Sequence, residues 1–88
     1  MAIDDEIVAL AKKDLASRRG IFAGKIVLKR IEGVDWPDAS LGCPKEGKAY
    51  AQVIMPGYRL VLSDGTADFE YHTDKHQRVV LCHRNASK

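Results

Sequence analysis

Residues 36–50, W-P-D-A-S-L-G-C-P-K-E-G-K-A-Y, constrain the fold more than any other stretch of the chain. They hold the only tryptophan, one of the two cysteines, two of the three prolines and two glycines. Proline fixes φ and lacks an amide donor, and glycine gains little from regular structure, so neither a helix nor a ladder strand runs easily through such a segment. The chain divides there into a helical half and a strand-rich half.

In the first half, Ile3, Ile7, Val8, Leu10, Ala11 and Leu15 recur at helical spacing and predict an amphipathic helix over residues 3–19. Asp4, Asp5 and Glu6 stand where the helix dipole favours negative charge, Arg18 and Arg19 where it favours positive charge. Gly20 is placed to take the left-handed conformation that ends a helix. Residues 25–32, rich in β-branched and apolar side chains, then read as a strand that breaks at Gly33, followed by a loop over 34–48.

In the second half, strands are predicted over residues 49–55, 58–63, 67–73 and 78–83. Pro56-Gly57 is compatible with a type II turn or with a bend in a nearly continuous strand. Asp64-Gly65 suits a two-residue hairpin turn, which sets Leu62 opposite Ala67, Leu60 opposite Phe69, Tyr58 opposite Tyr71 and Arg59 opposite Glu70. A turn at 74–77 sets Tyr71 opposite Val80 and Phe69 opposite Cys82, leaving Val61, Val79 and Leu81 on the face away from the helix. Those side chains need a cover, and Trp36, Leu41 and the loop prolines are the unassigned apolar material. The loop is therefore expected to fold back over the sheet.

Eighty-eight residues suffice for one core and one domain, residues 1–88. With 45% hydrophobic and 30% charged residues the composition is that of a globular protein, and no run approaches the roughly 20 apolar residues of a membrane span. A net charge of +2, spread along the chain, gives no nucleic-acid footprint. The acidic start, M-A-I-D-D-E-I, is unlike a secretory signal, so the expected location is cytoplasmic. The fold class that follows is α+β: one N-terminal helix on a four- or five-stranded antiparallel sheet with a long ordered loop.

No phosphate-binding glycine loop, paired acid–base carboxylates or serine elbow is present, so the residues favour a non-enzymatic domain with no cofactor. Cys43, His72 and Cys82 carry thiol and imidazole chemistry, and a metal or thiol function through them is the alternative reading. Their spacing lacks the paired C-x-x-C or H-x3-H of zinc sites, so the expectation is no metal, with Cys43 and Cys82 either bridged or free. A single bridge between them would stabilise by about 3 to 4 kcal/mol in the chain-entropy model, although reducing compartments oppose it. His72 is expected at a strand edge, bonding a loop carbonyl.

Long loops without secondary structure are generally functional or disordered, and the prolines and glycines of this one restrict it to few shapes. The candidate binding residues are accordingly Trp36, Asp38, Ser40, Lys45, Glu46 and Lys48, with an unidentified protein as partner.

Trp36-Pro37-Asp38, Ser40-Leu41-Gly42-Cys43-Pro44, Gly47, Tyr50, Gln52-Val53, Pro56-Gly57-Tyr58-Arg59, Tyr71-His72-Thr73-Asp74 and Val80-Leu81-Cys82 together resemble a family of small uncharacterised bacterial proteins and exported lipoprotein domains. The resemblance covers about residues 34–82. It implies a small α+β domain and, in exported members, a bridge between Cys43 and Cys82. It implies no activity, substrate or cofactor. The chain departs from the family in its start and in having Lys75-His76-Gln77 where relatives carry a glycine-rich turn.

Overall fold

The computed structural model describes residues 3–86. Helix α1, Ile3–Arg19, is followed by a 3-10 turn at Ala23–Lys25 and four strands: β1 Val27–Trp36, β2 Met55–Ser63, β3 Ala67–Asp74 and β4 Val79–Ala86. The strands form one antiparallel sheet in the order β1-β2-β3-β4. One helix on a four-stranded open sheet is an α+β arrangement.

The buried stripe of α1 is Ile7, Ala11 and Leu15, with Val8 and Ala16 partly buried beside it. Steps of four residues advance only about 40° around a helix, so these three stay on one line, whereas Leu10 lies about 100° from Ala11. Leu10 is accordingly exposed, not part of the stripe. At the helix end Gly20 has φ 65° and the Ile21 amide donates to the Ala16 carbonyl at 3.1 Å, the six-to-one bond of a Schellman cap. The core under the helix joins Ala11 and Leu15 to Ile26, Leu60, Leu62, Ala67, Phe69 and Tyr71. Tyr71 donates to Asp14 Oδ2 at 2.6 Å, and Arg18 Nε donates to the same oxygen at 2.6 Å, which pins α1 to β3.

Several sequence expectations shift. Residues 49–54 form no strand and belong to a loop running over residues 37–54. Pro56-Gly57 makes no turn: the strand runs through both residues, which lie within β2 opposite Asp35 and Val34, although it begins only at Met55. Gly57 is required there because a Cβ would fall 1.7 Å from the Thr73 carbonyl oxygen on β3. The connection of β2 to β3 is two residues longer than a tight hairpin, with Leu60 opposite Tyr71 and Leu62 opposite Phe69. The cause is Asp64, whose Oδ1 accepts from the amides of Thr66 at 2.9 Å and Ala67 at 3.0 Å and from the Thr66 hydroxyl at 2.8 Å, making an Asx-type loop. A shift of two leaves every side chain on its expected face.

The connection of β3 to β4 differs by one residue, and one is enough to reverse a strand. Asp74 Oδ1 accepts from the amides of His76, Gln77 and Arg78 at 2.8 to 3.0 Å, closing a loop that sets Thr73 opposite Val79 and Tyr71 opposite Leu81. Val79 and Leu81 therefore pack on the helix-covered core, not on the far face. His72 lies opposite Val80 and Arg59, in an interior strand rather than at an edge. A register shift between Glu70 and Tyr71 then sets Glu70 opposite His83. The sequence tail at 84–86 continues β4, and residues 87–88 lie outside the described residues.

Candidate functional site

The loop over residues 37–54 leaves β1 at Trp36 and returns to β2 at Met55, which is the ladder partner of Trp36. Between them it crosses the sheet face that the helix leaves open, and a series of contacts shapes it. Cys43 Sγ is bonded to Cys82 Sγ on β4, with Cα atoms 5.7 Å apart. Trp36, 7% exposed, donates from Nε1 to the Thr73 carbonyl at 2.9 Å and stacks on the His72 ring at 4.3 Å between centroids. The Ala39 amide donates to the Ala51 carbonyl at 2.9 Å, closing the base of the loop.

Two tight turns shape the interior. The Cys43 amide donates to the Ser40 carbonyl at 3.1 Å around Leu41 and Gly42, whose φ values of 58° and 69° are the pattern of a type I′ turn. A leucine in left-handed conformation costs about 1 to 2 kcal/mol, and burying its side chain contributes about 1.5 to 3 kcal/mol. Leu41 is fully buried, so the second effect sustains the first. Gly42 lies against the indole: a Cβ there would stand 2.6 Å from Trp36 Cζ3. Farther on, the Lys48 amide donates to the Lys45 carbonyl at 3.2 Å around Glu46 and Gly47, with Gly47 at φ 81°. That turn holds Lys45 and Lys48 as neighbours and puts Glu46 at its corner.

Beneath the loop a polar chain crosses the sheet. Arg59 donates to Glu32 Oε1 and to Glu70 Oε1, each at 2.8 Å. Glu70 Oε2 lies 2.6 Å from His72 Nε2, and His72 Nδ1 lies 2.7 Å from the Leu41 carbonyl oxygen. A carbonyl only accepts, so Nδ1 is the donor there. The Arg59 guanidinium, with the His72 bond secondary, holds the Glu70 carboxyl below its usual range. His72 is 5% exposed and both its ring nitrogens are engaged. Among the described residues no group of three or more His, Cys, Asp or Glu side chains could hold a metal ion.

The predicted site residues separate into two groups. Trp36 and Ser40 are buried and shape the loop rather than forming its surface. Asp38 accepts from both the amide and the hydroxyl of Ser40, and the hydroxyl bond, then the amide bond, hold its carboxyl below the usual range. Lys45, Glu46 and Lys48 are exposed. A cleft of about 150 Å³ brings Lys45 and Lys48 together with Ser40, Cys43, Tyr50, Arg78 and Val80. Tyr50 accepts the Lys45 amide at 3.0 Å through its phenol oxygen, and Arg78 Nη1 donates to the Ala39 carbonyl at 3.0 Å.

Arg78 lies many residues beyond the loop in sequence, so the loop's composition does not point to it. The signal that points to it is Asp74, an Asx residue whose turn ends at Arg78 and delivers that side chain to the loop-covered side. Glu70 and His72 alternate along one strand and so share a face, a legible sign of the buried pair.

Over this framework, the family described as a domain of unknown function (DUF8738) matches residues 8–82. The chain belongs to that family. The DUF8738 match begins inside α1 and ends at Cys82, so it takes in β1 to β3, the first half of β4, the loop and both bridged cysteines. No curated protein and no solved structure matches the chain. Among the described residues no helix is long and apolar enough to cross a membrane.

Proposed function

We propose that this DUF8738 domain is a non-catalytic protein-interaction module, inhibitor-like in that it presents a pre-shaped loop to its partner. The observation that carries this reading is that a loop with neither helix nor strand is tied to the sheet at Cys82 and His72 while Lys45, Glu46, Lys48, Val53 and Ile54 stay on the outside. Val53 and Ile54 are 52% and 71% exposed, two adjacent large apolar side chains with no packing to explain them. Fixing a loop before binding lowers the ordering entropy that association costs, which is the physical advantage of such an arrangement. Apolar residues beside charged ones are the usual core and rim of an interaction surface.

The disulfide bears on where the domain works. Bridges of this kind persist in oxidising compartments and are rare in the cytosol, so Cys43–Cys82 supports an oxidising location against the cytoplasmic expectation drawn from the acidic start.

The test compares immobilised wild-type protein with a variant carrying Lys45→Ser, Lys48→Ser, Val53→Ser and Ile54→Ser, which leaves Trp36, Leu41 and Cys43 intact. The expected result is a partner retained by the first and lost by the second at equal thermal stability. Equal capture by both proteins overturns the proposal.

A further inference from the structure

We infer that the cleft between the loop and the start of β4 binds the carboxylate of an acidic peptide side chain, an assignment that rests on the loop being the interaction surface. Its lining places three cationic side chains, Lys45, Lys48 and Arg78, around a space of about 150 Å³. Among the described residues no carboxylate lines it, and none of the three cations is in an ion pair.

The donors are already aimed. The Tyr50 oxygen accepts the Lys45 amide, which leaves the phenol hydrogen to donate to a ligand. One Nη1 hydrogen of Arg78 is held by the Ala39 carbonyl, and the Arg78 amide by Asp74, so the guanidinium is positioned with most of its five donors unused. A guanidinium fork beside a hydroxyl and two ammonium groups is the donor set that recognises an oxyanion through charge-assisted bonds. The nearby acids do not compete for it. Neither Asp38 nor Glu46 lines the cleft, and neither is in an ion pair with Lys45, Lys48 or Arg78.

The cleft also has an apolar side that favours a carboxylate on a methylene stem over a free inorganic anion. Val80, the bridged Cys43 and Tyr50 contribute to its lining.

The experiment titrates the isotope-labelled full chain with acetyl-Leu-Glu-Glu-Leu-amide and follows backbone amide shifts. Saturable shifts at Lys48, Tyr50 and Arg78 are expected, absent with the Gln-Gln peptide and about tenfold weaker in Arg78→Gln, the effect of one lost charge-assisted bond. Because Arg78 also contacts Ala39, Lys48→Gln serves as a second variant and is expected to weaken binding without moving the Ala39 amide. Equal shifts from sodium chloride at matched ionic strength overturn the site, and saturation by inorganic phosphate but not by the Glu peptide overturns the peptide assignment. If the acidic peptide does not bind while partner capture still depends on the loop, only this inference fails.

Discussion

The indole of Trp36 lies against the imidazole of His72, with ring centroids 4.3 Å apart and planes 22° from parallel. One residue ends β1 and the other lies in the middle of the sheet, so the stack carries the loop inward over β2 and β3. The same imidazole holds the Leu41 carbonyl, and the same indole holds the Thr73 carbonyl. The imidazole thus joins the loop to the sheet, and the indole that it touches ties the end of β1 to β3.

Gly42 closes that stack from the loop side, and it should be the least replaceable glycine of the loop. Gly42→Ala puts a methyl 2.6 Å from Trp36 Cζ3 and asks a non-glycine residue to hold φ 69°. Overpacking costs about 1 to 3 kcal/mol and the left-handed backbone about 1 to 2 kcal/mol more. Gly47→Ala shares only the second effect, because nothing stands within 4 Å of its Cβ position at φ 81°. Urea midpoints read from the fluorescence of Trp36, the only tryptophan, should therefore fall further for Gly42→Ala than for Gly47→Ala.

Reducing the Cys43–Cys82 bridge removes a crosslink between positions 39 apart, worth about 3 to 4 kcal/mol in the chain-entropy model. The loss should be local before it is global. Hydrogen exchange in Cys43→Ser/Cys82→Ser should quicken at residues 41–50, while the amides of β2 and β3, beneath the helix and the core, keep their protection in native conditions. Equal quickening throughout would show that the bridge holds the whole fold instead of the loop.

The sequence made the helix and the existence of the sheet legible because both depend on periodicity. Ile7, Ala11 and Leu15 mark their stripe by spacing alone, and Leu60, Leu62, Phe69 and Tyr71 keep their face even when the hairpin slips by two. What was not legible is what a single side chain decides. Asp64 and Asp74 each gather two or three backbone amides and lengthen their loops, and at Asp74 one added residue reverses β4. The loop was found by its composition, yet Arg78 and Tyr50 became part of the cleft through hydrogen bonds that no spacing encodes.

Asp64 and Glu70 give the fold an acid limb. Asp64 is held well below the ordinary carboxylate range, first by the Thr66 amide and also by Arg19, and Glu70 is lowered chiefly by Arg59. A depressed pKa means that the folded state favours the ionised form, so the stabilisation is complete above the unfolded value of about 4 and is lost as pH falls below it. Urea midpoints should thus be level from pH 7 to about 5 and fall below 4. Asp64→Asn should lower the plateau and flatten that fall, and an unchanged slope would remove Asp64 from the account.

At the other end of the pH scale Tyr71 should dominate. Burial, followed by its hydrogen bond to Asp14, pushes its phenol above the ordinary tyrosine range. A raised pKa means that the folded state favours the neutral phenol, so stability is complete below about pH 10 and lost as pH rises beyond it. Tyr71→Phe should therefore flatten the alkaline limb and, at neutral pH, cost about 0.5 to 1.5 kcal/mol for the lost bond to Asp14. Asp14→Ala should cost more, about 1 to 3 kcal/mol, because it strands a phenol donor on a fully buried residue and also frees Arg18, which shares the same Asp14 oxygen. Removing the donor is milder than removing the acceptor, since Asp14 without Tyr71 still has Arg18 and solvent within reach. Midpoints for the two variants at pH 7 that came out equal, or in the reverse order, would mean that the Tyr71 hydroxyl reaches water and that α1 is held to the sheet by its apolar stripe alone.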